Sequence, residues 1–244
     1  MAYNFYTGEV LLIDKPLGWS SFQAVNKLKH GIKNHPSFIH EPASAKASSG
    51  RGNKVKPKIG HAGTLDPLAT GLLIICTGKK TKEIESFMGL TKEYTGTFFI
   101  GATTPCYDLE KEVDKTFPTE HITKDLILET AKTFVGIQEQ VPPIFSAVQI
   151  NGKRAYTLAR AGEEVELKPR QIEILEFEIT DIQMPIVSFR IVCGKGTYIR
   201  SMARDFGLVL NSGAHLTSLR RTKIGSYHVK DSVSPEEFVK QLQH

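Results

Sequence analysis

The amino-acid sequence predicts a mixed α/β fold in which a largely antiparallel sheet is flanked by helices. Its 244 residues are 40% hydrophobic and 23% charged, which is an ordinary composition for a globular protein. Apolar runs of strand length and segments of helical periodicity follow one another in an irregular order. No internal repeat is visible, and the irregular order favours an antiparallel sheet over a regularly wound parallel one.

The first elements are a strand, a turn and a helix. The apolar run at 9–14 predicts a buried strand, and Pro16 and Gly18 mark the turn that follows it. Ser20 or Ser21 is placed to cap the next helix. The predicted apolar face of this helix consists of Phe22, Val25, Leu28 and Ile32.

Residues 33–57 are predicted to form a mobile basic loop, because the stretch has few apolar side chains and is rich in small and polar ones. Turn-forming residues dominate 58–71, and the apolar run at 72–76 suits a buried strand or helix. A short helix is expected over 80–88 and a strand over 94–101.

The second half of the chain alternates in the same irregular way. The predicted elements are a capped helix over 123–134, a strand over 145–150 that enters an Asn-Gly turn, paired strands at 173–179 and 187–193, and a helix that is capped by Thr197 and ends at about Leu210. Leu126, Ile127, Ala131 and Phe134 are the residues expected to face inward from the first of these helices. All elements are assigned to one domain over 1–225, and 226–244 are expected to form a short C-terminal tail.

The composition excludes several classes of protein. No apolar run approaches the roughly 20 residues needed to cross a bilayer, and the N-terminus lacks the pattern of a secretory signal. Cys76, Cys106 and Cys193 are odd in number and unclustered, which is typical of the reducing cytosol rather than of a disulfide framework. We therefore expect a cytoplasmic protein with no membrane segment.

Common cofactor and metal motifs are missing from the sequence. Residues 78–81 lack the spacing of a phosphate loop, and no GxGxxG, GxSxG or HExxH pattern occurs. The eight histidines are scattered. A cofactor-free, metal-free enzyme and a pure binding protein are the two classes left.

Positive charge is concentrated in two segments of a chain whose net charge is only +5. Between 27 and 58 eight lysines and arginines are opposed by Glu41 alone, and between 195 and 223 six are opposed by Asp205 alone. Two such segments are what a polyanion-binding face requires, if the fold brings them together. The alternative is a set of solvated surface side chains.

The stretch 60–71 presents one histidine, His61, and one carboxylate, Asp66, on a backbone stiffened by three glycines and a proline. Asp66 either starts an ordinary Asp-Pro turn or is held by the stiff loop as a nucleophile or base. His61 taken alone is consistent with a surface histidine.

A second stretch, 193–207, places Tyr198 and Arg200 at the start of a helix with Arg204 one turn further on. The arginines are either solvated on a basic helix, or Arg200 pairs with a buried carboxylate and keeps it ionised. Asp66 is the candidate partner.

The sequence resembles the bacterial tRNA pseudouridine synthase B (TruB) family in several stretches that follow the family's order. The Gly-Thr-Leu-Asp-Pro-Leu-Ala-Thr-Gly motif is highly specific for that family. The matching stretches are 9–21, 60–73, 92–96, 141–148, 151–156 and 196–207. The sequence is therefore identified as a TruB-type enzyme of a short form that lacks a C-terminal PUA-type domain.

The resemblance implies roles for seven residues. Asp66 corresponds to the catalytic aspartate, and His61 to the histidine that helps to hold the target nucleotide out of the stack. The matched side chains around the base are Tyr94, whose ring covers it, Tyr198, Arg200, which pairs with the catalytic carboxylate, Leu219 beneath the base, and Lys82 near the site.

The family converts the T-loop uridine of tRNA (position 55) to pseudouridine without cofactor or metal, so the resemblance implies this activity, with tRNA as partner and a monomeric enzyme. One carboxylate suffices for the chemistry, by attack on C1′ or C6 or by removal of a ribose proton. The competing interpretations are a guide-RNA-dependent pseudouridylase and a non-catalytic tRNA-folding chaperone. The long basic segment 33–57 departs from the family pattern.

Overall fold

The computed structural model describes residues 3–39, 58–145, 149–150, 153–154 and 167–243. Of the predicted basic loop, 33–39 fall in this part and include a short helix, whereas 40–57 lie outside the described residues. The predicted strand over 145–150 is described only at Phe145, which lies in a bend, and at its last two residues.

The described part of the chain contains six α-helices and thirteen strands, with 3-10 helices at Gly78–Glu83 and Val229–Asp231. The helices are α1 Ser21–Ile32, α2 Pro36–Ile39, α3 Ile84–Gly89, α4 Lys124–Thr133, α5 Ile199–Val209 and α6 Pro235–Gln241. The strands are β1 Val10–Lys15, β2 Ile59–Ala62, β3 Ala69–Thr77, β4 Lys92–Ile100, β5 Ala102–Thr103, β6 Lys115–Thr116, β7 Gly136–Gln140, β8 Gln149–Ile150, β9 Lys153–Arg154, β10 Arg170–Gln183, β11 Ile186–Cys193, β12 Ala214–Ile224 and β13 Tyr227–His228.

The chain divides into two compact units, the first comprising Met1–Leu90 with Arg220–His244 and the second Thr91–Leu219. In the first unit β3 lies between β1 and the end of β12, and β2 pairs with β3 as well. The pairing of β1 with β3 is antiparallel, from Val10 opposite Cys76 to Lys15 opposite Gly71. Residues 71–77 of β3 are all buried, which is expected of a strand whose two faces are both covered.

Helices α1 and α6 supply the core on one face of the first unit's sheet. Ser20 caps α1 and forms a capping box with Gln23, which confirms one of the two predicted caps. The cluster beneath the helices contains Phe5, Leu11, Ile13, Ala24, Val25, Leu28, Ile32, Leu73, Ile75 and Phe238. The opposite face carries a second cluster made of Ala62, Leu72, Ile74, Cys76, Phe87 and Ile224.

Two residues predicted to face inward are exposed. Phe22 on α1 is 68% exposed and Leu126 on α4 is 37% exposed. Each lies one residue, or about 100° of rotation, away from the buried stripe of its helix. Ala24 and Thr130 occupy the buried stripes instead.

The segment 226–244, expected to be a tail, contains a core element of the first unit. Ser234 and Glu237 form a capping box at the start of α6, with Pro235 in its first turn. Phe238 is fully buried and meets the ring of Phe5 edge-on at 6.4 Å. Capping by a Ser-Pro-Glu-Glu stretch is a signal that the sequence analysis missed.

The second unit is an antiparallel sheet packed against two helices. Its strand order is β12, β4, β11, β10, β7, and the three pairings from β4 to β7 are antiparallel. An aromatic cluster joins the sheet to α4 and α5, with ring centroids 4.3–6.4 Å apart. Its members are Phe98, Phe134, Phe177, Phe189 and Phe206. The predicted mixed fold with a mostly antiparallel sheet is confirmed.

Candidate active site

Asp66 lies in the loop that joins β2 to β3, in the first unit. Its backbone carbonyl accepts a hydrogen bond from the amide of Ala69 (3.1 Å), so Asp66 and Pro67 take the first two positions of a β-turn. The turn interpretation of the Asp-Pro pair is therefore correct. It does not compete with a chemical role, because the turn uses the backbone of Asp66 and leaves its half-buried carboxylate to other partners.

The start of α1 anchors the residue just before Asp66. The hydroxyl of Ser21 donates to the carbonyl of Leu65 (3.1 Å) and accepts from its amide (2.8 Å), and both residues are buried. The amide of Gly18 donates to the carbonyl of Pro67 (2.9 Å). Two adjacent segments therefore fix the backbone on both sides of Asp66.

A fully buried lysine lies behind this loop. The ammonium of Lys15 donates to the carbonyls of Pro16 (3.0 Å), Trp19 (2.5 Å) and Pro67 (3.4 Å). Burial lowers the pKa of Lys15 from 10.5 to about 8, against the opposing attraction of the Asp66 carboxylate. Lys15 was not among the predicted site residues, although the period-two pattern of β1 puts it on the same face as the buried Leu11 and Ile13.

Replacing Lys15 with methionine should change how stability depends on pH. The charged form of Lys15 is disfavoured in the folded protein. The resulting loss of unfolding free energy is fully present below about pH 8 and is relieved as the pH rises toward 10.5. The unfolding free energy of the wild type, relative to Lys15→Met, should therefore increase by about 2 kcal/mol between pH 7.5 and 10.

Urea unfolding of both proteins across this pH range measures the difference, and Lys82→Met, at an exposed position, controls for loss of a lysine. The variant also loses the hydrogen bonds from Lys15 to the backbone carbonyls, which changes its unfolding free energy by an amount that does not vary with pH. A difference that stays constant across the range would contradict the assignment.

Arg221 and His61 lie beside the same loop. Arg221 is buried, and its guanidinium donates to the carbonyls of Leu72 (2.8 Å) and Gly63 (3.0 Å). Burial, with a smaller contribution from the positive charge of Arg221, lowers the pKa of His61. His61 is therefore held as a neutral imidazole, and its buried Nδ1 has no hydrogen-bond partner within the described residues.

Gly71, two residues into β3, fits where no larger residue does. Its φ is +103°, and a Cβ atom there would lie 2.3 Å from the carbonyl oxygen of Arg221. Gly136 has nearly the same φ, +106°, with open space around the corresponding position.

The substitution Gly71→Ala should destabilise the protein by about 3 kcal/mol or more, because backbone strain of about 1–3 kcal/mol is added to a backbone clash. The matched variant Gly136→Ala carries the strain without the clash and should lose only about 1–2 kcal/mol. Thermal unfolding of the two variants compares them. Equal losses would show that the strand relaxes around the added methyl group.

The structure does not bring Lys82 to this loop. Asp66 precedes the first residue of β3, whereas Lys82 lies on the 3-10 helix that follows the last one. A nine-residue strand spans about 26 Å at 3.3 Å per residue. The structure therefore lends no support to a place for Lys82 near the site, and its assignment stays a prediction.

In the second unit, Arg200 is buried at the start of α5. Its guanidinium donates to the carbonyls of Cys106 (3.4 Å) and Phe145 (2.9 Å), and its Nε lies 3.6 Å from a carboxylate oxygen of Asp108. The side chains of Arg200 and Asp108 are 6% and 4% exposed. Arg200 is thus a buried, charge-paired residue, which excludes the solvated alternative.

The start of α5 is capped in an unexpected way. The N-cap is Tyr198, not the predicted Thr197, whose hydroxyl turns back to the carbonyl of Gly194 (3.2 Å). The side chain of Gln140 bonds to the backbone of Tyr198. Gln140 is a further residue that the sequence analysis missed, because its contact spans 58 positions.

Tyr94 and Leu219 lie on neighbouring strands, β4 and β12, and both are nearly buried. The hydroxyls of Thr97 and Thr217 are 2.7 Å apart, and Gly96 approaches the carbonyl of Ser218. One position back along β4 thus corresponds to one position forward along β12, so the two strands run in opposite directions. Tyr94 and Leu219 therefore lie at the same end of the strand pair.

The second basic segment is less exposed than its composition suggests. Arg200 and Arg221 are buried, Arg204 bonds to Asp205 (2.7 Å), and Arg220 forms two bonds with Asp14 (3.1 and 2.6 Å). Most of the positive charge of this segment is therefore buried or paired within the protein, and Arg220 is the most exposed of the four arginines, with a 41% exposed side chain. Lys195 and Lys223 are the remaining cations of the segment.

The cysteines do not form a reactive or metal-binding group. Burial raises the pKa of Cys76 to about 11, and it also raises the pKa of Cys106. Among the described residues no group of three or more His, Cys, Asp or Glu side chains is arranged to hold a metal ion. No helix in the described part of the chain is long and apolar enough to span a bilayer.

Comparison with known proteins identifies the family. Residues 51–199, more than half of the chain, match the N-terminal domain of the TruB family of pseudouridylate synthases. The chain belongs to the TruB family. Residues 200–244 match the C-terminal domain of tRNA pseudouridylate synthase B, so the TruB match includes the segment expected to be a tail.

Curated TruB relatives extend over nearly the whole chain. A protein named tRNA pseudouridine synthase B from Flavobacterium johnsoniae is 59% identical over 240 residues and covers 98% of both chains. A protein of the same name from Phocaeicola vulgatus is 53% identical over 239 residues, and the match covers 98% of this chain and 95% of the relative.

A solved structure supports the fold of this TruB family member. The crystal structure of a Cbf5-Nop10-Gar1 complex contains a chain that matches with a TM-score of 0.67 at 26% identity. The match covers 97% of the present chain and 55% of that chain, so the present chain spans about half of that structural relative.

Proposed function

We propose that this protein converts the T-loop uridine of tRNA (position 55) to pseudouridine, with Asp66 as the catalytic residue. The observation that carries the proposal is the anchoring of Asp66. Ser21, Gly18 and Lys15 hold the backbone of its turn, while the carboxylate is half-buried. A rigid loop that presents one carboxylate is what a reaction with a single acidic catalyst requires. The extended similarity to proteins named tRNA pseudouridine synthase B supports the choice of substrate.

The reaction needs no external reagent. The N1–C1′ glycosidic bond breaks, the uracil turns, and a C5–C1′ bond forms, while the hydrogen on C5 leaves to solvent and N1 gains a proton. The carboxylate of Asp66 acts on C1′, on C6 or on a ribose proton. Water has to be kept away from the detached base, because hydrolysis would release it.

We assign the other residues named by the resemblance according to that resemblance and to their burial. His61 is held neutral, so it offers an uncharged face to a nucleotide taken out of the stack. Tyr94 and Leu219 lie at one end of two adjacent strands and supply a ring and an apolar side chain for the uracil. Tyr198, at the start of α5, supplies a second ring. Stacking of this kind is worth roughly 1–3 kcal/mol per base, which offsets a flipping cost of a few kcal/mol.

The pairing of Arg200 with Asp66, implied by the resemblance, stays a prediction. A monomeric enzyme that binds the T-arm and works in the cytoplasm completes the proposal. No metal or cofactor is required by this chemistry.

Tritium release tests the proposed function. A tRNA transcript labelled at C5 of uridine loses one tritium for each pseudouridine formed, because the C5–H bond is the one replaced. We expect release from the transcript alone, with no added guide RNA. Release only with a guide RNA would favour a guide-dependent pseudouridylase. Faster T-loop folding with no release would favour a chaperone.

A further inference from the structure

Gln140 holds both backbone polar groups of Tyr198. Its side-chain carbonyl accepts from the Tyr198 amide (2.9 Å), and its side-chain NH₂ donates to the Tyr198 carbonyl (3.2 Å). Gln140 is the last residue of β7, and its side chain is buried, with the residue 3% exposed. The two bonds form a closed clamp between the end of a strand and the start of a helix.

The bond from Gln140 to the Tyr198 carbonyl is not needed to give that carbonyl a hydrogen-bond donor. Tyr198 is the N-cap residue of α5, and the Gln140 oxygen accepts from its amide. The Tyr198 carbonyl, however, already accepts from the amide of Met202 (3.1 Å). A second donor to that carbonyl fixes the orientation of the peptide groups on either side of Tyr198 rather than satisfying an orphan atom.

The residues after Gln140 extend the same contact along α5. The carbonyl of Val141 accepts from the hydroxyl of Ser201 (2.8 Å) and from the guanidinium of Arg204 (3.2 Å). The carbonyl of Phe145 accepts from Arg200 (2.9 Å). The described residues 140–145 therefore form a strap along the first two turns of the helix, and Gln140 is its buried side-chain contact.

We infer that Gln140 is a positioning residue of the isomerase. It sets the backbone of Tyr198, and through it the Tyr198 ring and the Arg200 guanidinium two residues later. This inference rests on the proposed function, since it assigns Gln140 a part in the same reaction. Gln140 itself touches no reacting atom. Small displacements of such groups lower turnover much more than binding, because many contacts share the affinity for RNA.

The first test replaces the clamp with an apolar side chain of similar length. Gln140→Met should lower kcat by about 10-fold to 100-fold, with the tRNA Kd unchanged within about 3-fold. Gln138→Met is the matched control, because Gln138 lies on the same strand and donates to the carbonyl of Thr133 (3.2 Å), remote from α5 in sequence. Single-turnover kinetics well below the unfolding temperature separate turnover from stability. A Gln140→Met enzyme that is less stable but turns over within twofold of wild type would overturn the inference.

The second test uses a variant that keeps the shape. In Gln140→Glu an ionised carboxylate accepts from the Tyr198 amide but repels the Tyr198 carbonyl, whereas a protonated one restores both bonds. The ratio of variant to wild-type kcat should therefore rise as the pH falls from 8 to 6, since burial favours the protonated form. A ratio independent of pH would contradict a positioning role, and this holds even if Gln140→Met fails to fold.

A third measurement does not depend on enzymatic turnover. Hydrogen exchange of the Tyr198 amide should be faster in Gln140→Met than in the wild type by about 10-fold or more, because the amide loses its acceptor. Unchanged exchange would overturn the clamp. A wild-type protein that forms no pseudouridine would overturn the proposed function instead, while the exchange result would still decide the clamp.

Discussion

Asp66→Asn should abolish pseudouridine formation while tRNA binding persists. The single carboxylate carries the bond changes at C1′, whereas phosphate and stacking contacts distributed over the surface carry affinity. Asparagine is as well suited as aspartate to the first position of the Asp66–Ala69 turn, so the loop itself should be preserved. We expect the single-turnover rate to fall by at least about 10³-fold, equivalent to about 4 kcal/mol of transition-state stabilisation.

The control for this variant removes a carboxylate elsewhere. Asp125→Asn lies at an exposed position in the first turn of α4 and should leave the rate within about twofold of wild type. Filter binding of labelled tRNA shows whether affinity is retained. Residual activity of Asp66→Asn within tenfold of wild type would refute the assignment of Asp66.

Arg200→Ala should destabilise the protein strongly. It removes one member of a buried pair and leaves the Asp108 carboxylate, 4% exposed, without its cation. The carbonyls of Cys106 and Phe145 lose their donor as well. Breaking a buried pair typically costs about 3–5 kcal/mol, which for a chain of this size lowers the unfolding temperature by about 6–20 °C. Turnover should fall with it.

A matched pair within the same chain distinguishes burial from ion pairing as such. Arg220 also binds an aspartate, Asp14, but its side chain is 41% exposed, so Arg220→Ala should cost only about 0–1 kcal/mol. In the double variant Arg200→Ala/Asp108→Asn the stranded charge is gone, and part of the lost stability should return. Calorimetry on the three variants measures this. Similar losses for Arg200→Ala and Arg220→Ala would show that the buried environment of Arg200 is not what makes it important.

Much of the fold was accessible from the sequence because local signals were consistent there. Period-two and apolar runs predicted β1, β3 and β4, and the Ser20 cap predicted the start of α1. The turn residues around Asp66 predicted an irregular, stiff loop, which the structure has. The errors at Phe22 and Leu126 follow from helical periodicity, since one position of shift moves a side chain by about 100°.

The buried charges were harder to predict. Composition alone does not distinguish a buried cation from a solvated one. Three cations are in fact buried and bonded to backbone carbonyls: Lys15, Arg200 and Arg221. Their carbonyl partners include positions 52, 55 and 149 residues away, so nothing local in the sequence identifies those pairings. The same holds for Gln140 and Tyr198, separated by 58 positions. Only the alternation of burial along β1 gave a local signal, at Lys15.

Mapping the product on tRNA shows whether Asp66 forms pseudouridine in the T-loop. An unmodified tRNA transcript is incubated with the protein alone, treated with carbodiimide, which marks pseudouridine, and read by primer extension. We predict one new stop, at the T-loop uridine, approaching one pseudouridine per tRNA with the wild type and absent with Asp66→Asn. Modification at other uridines with none in the T-loop, or an equal stop with Asp66→Asn, would contradict it.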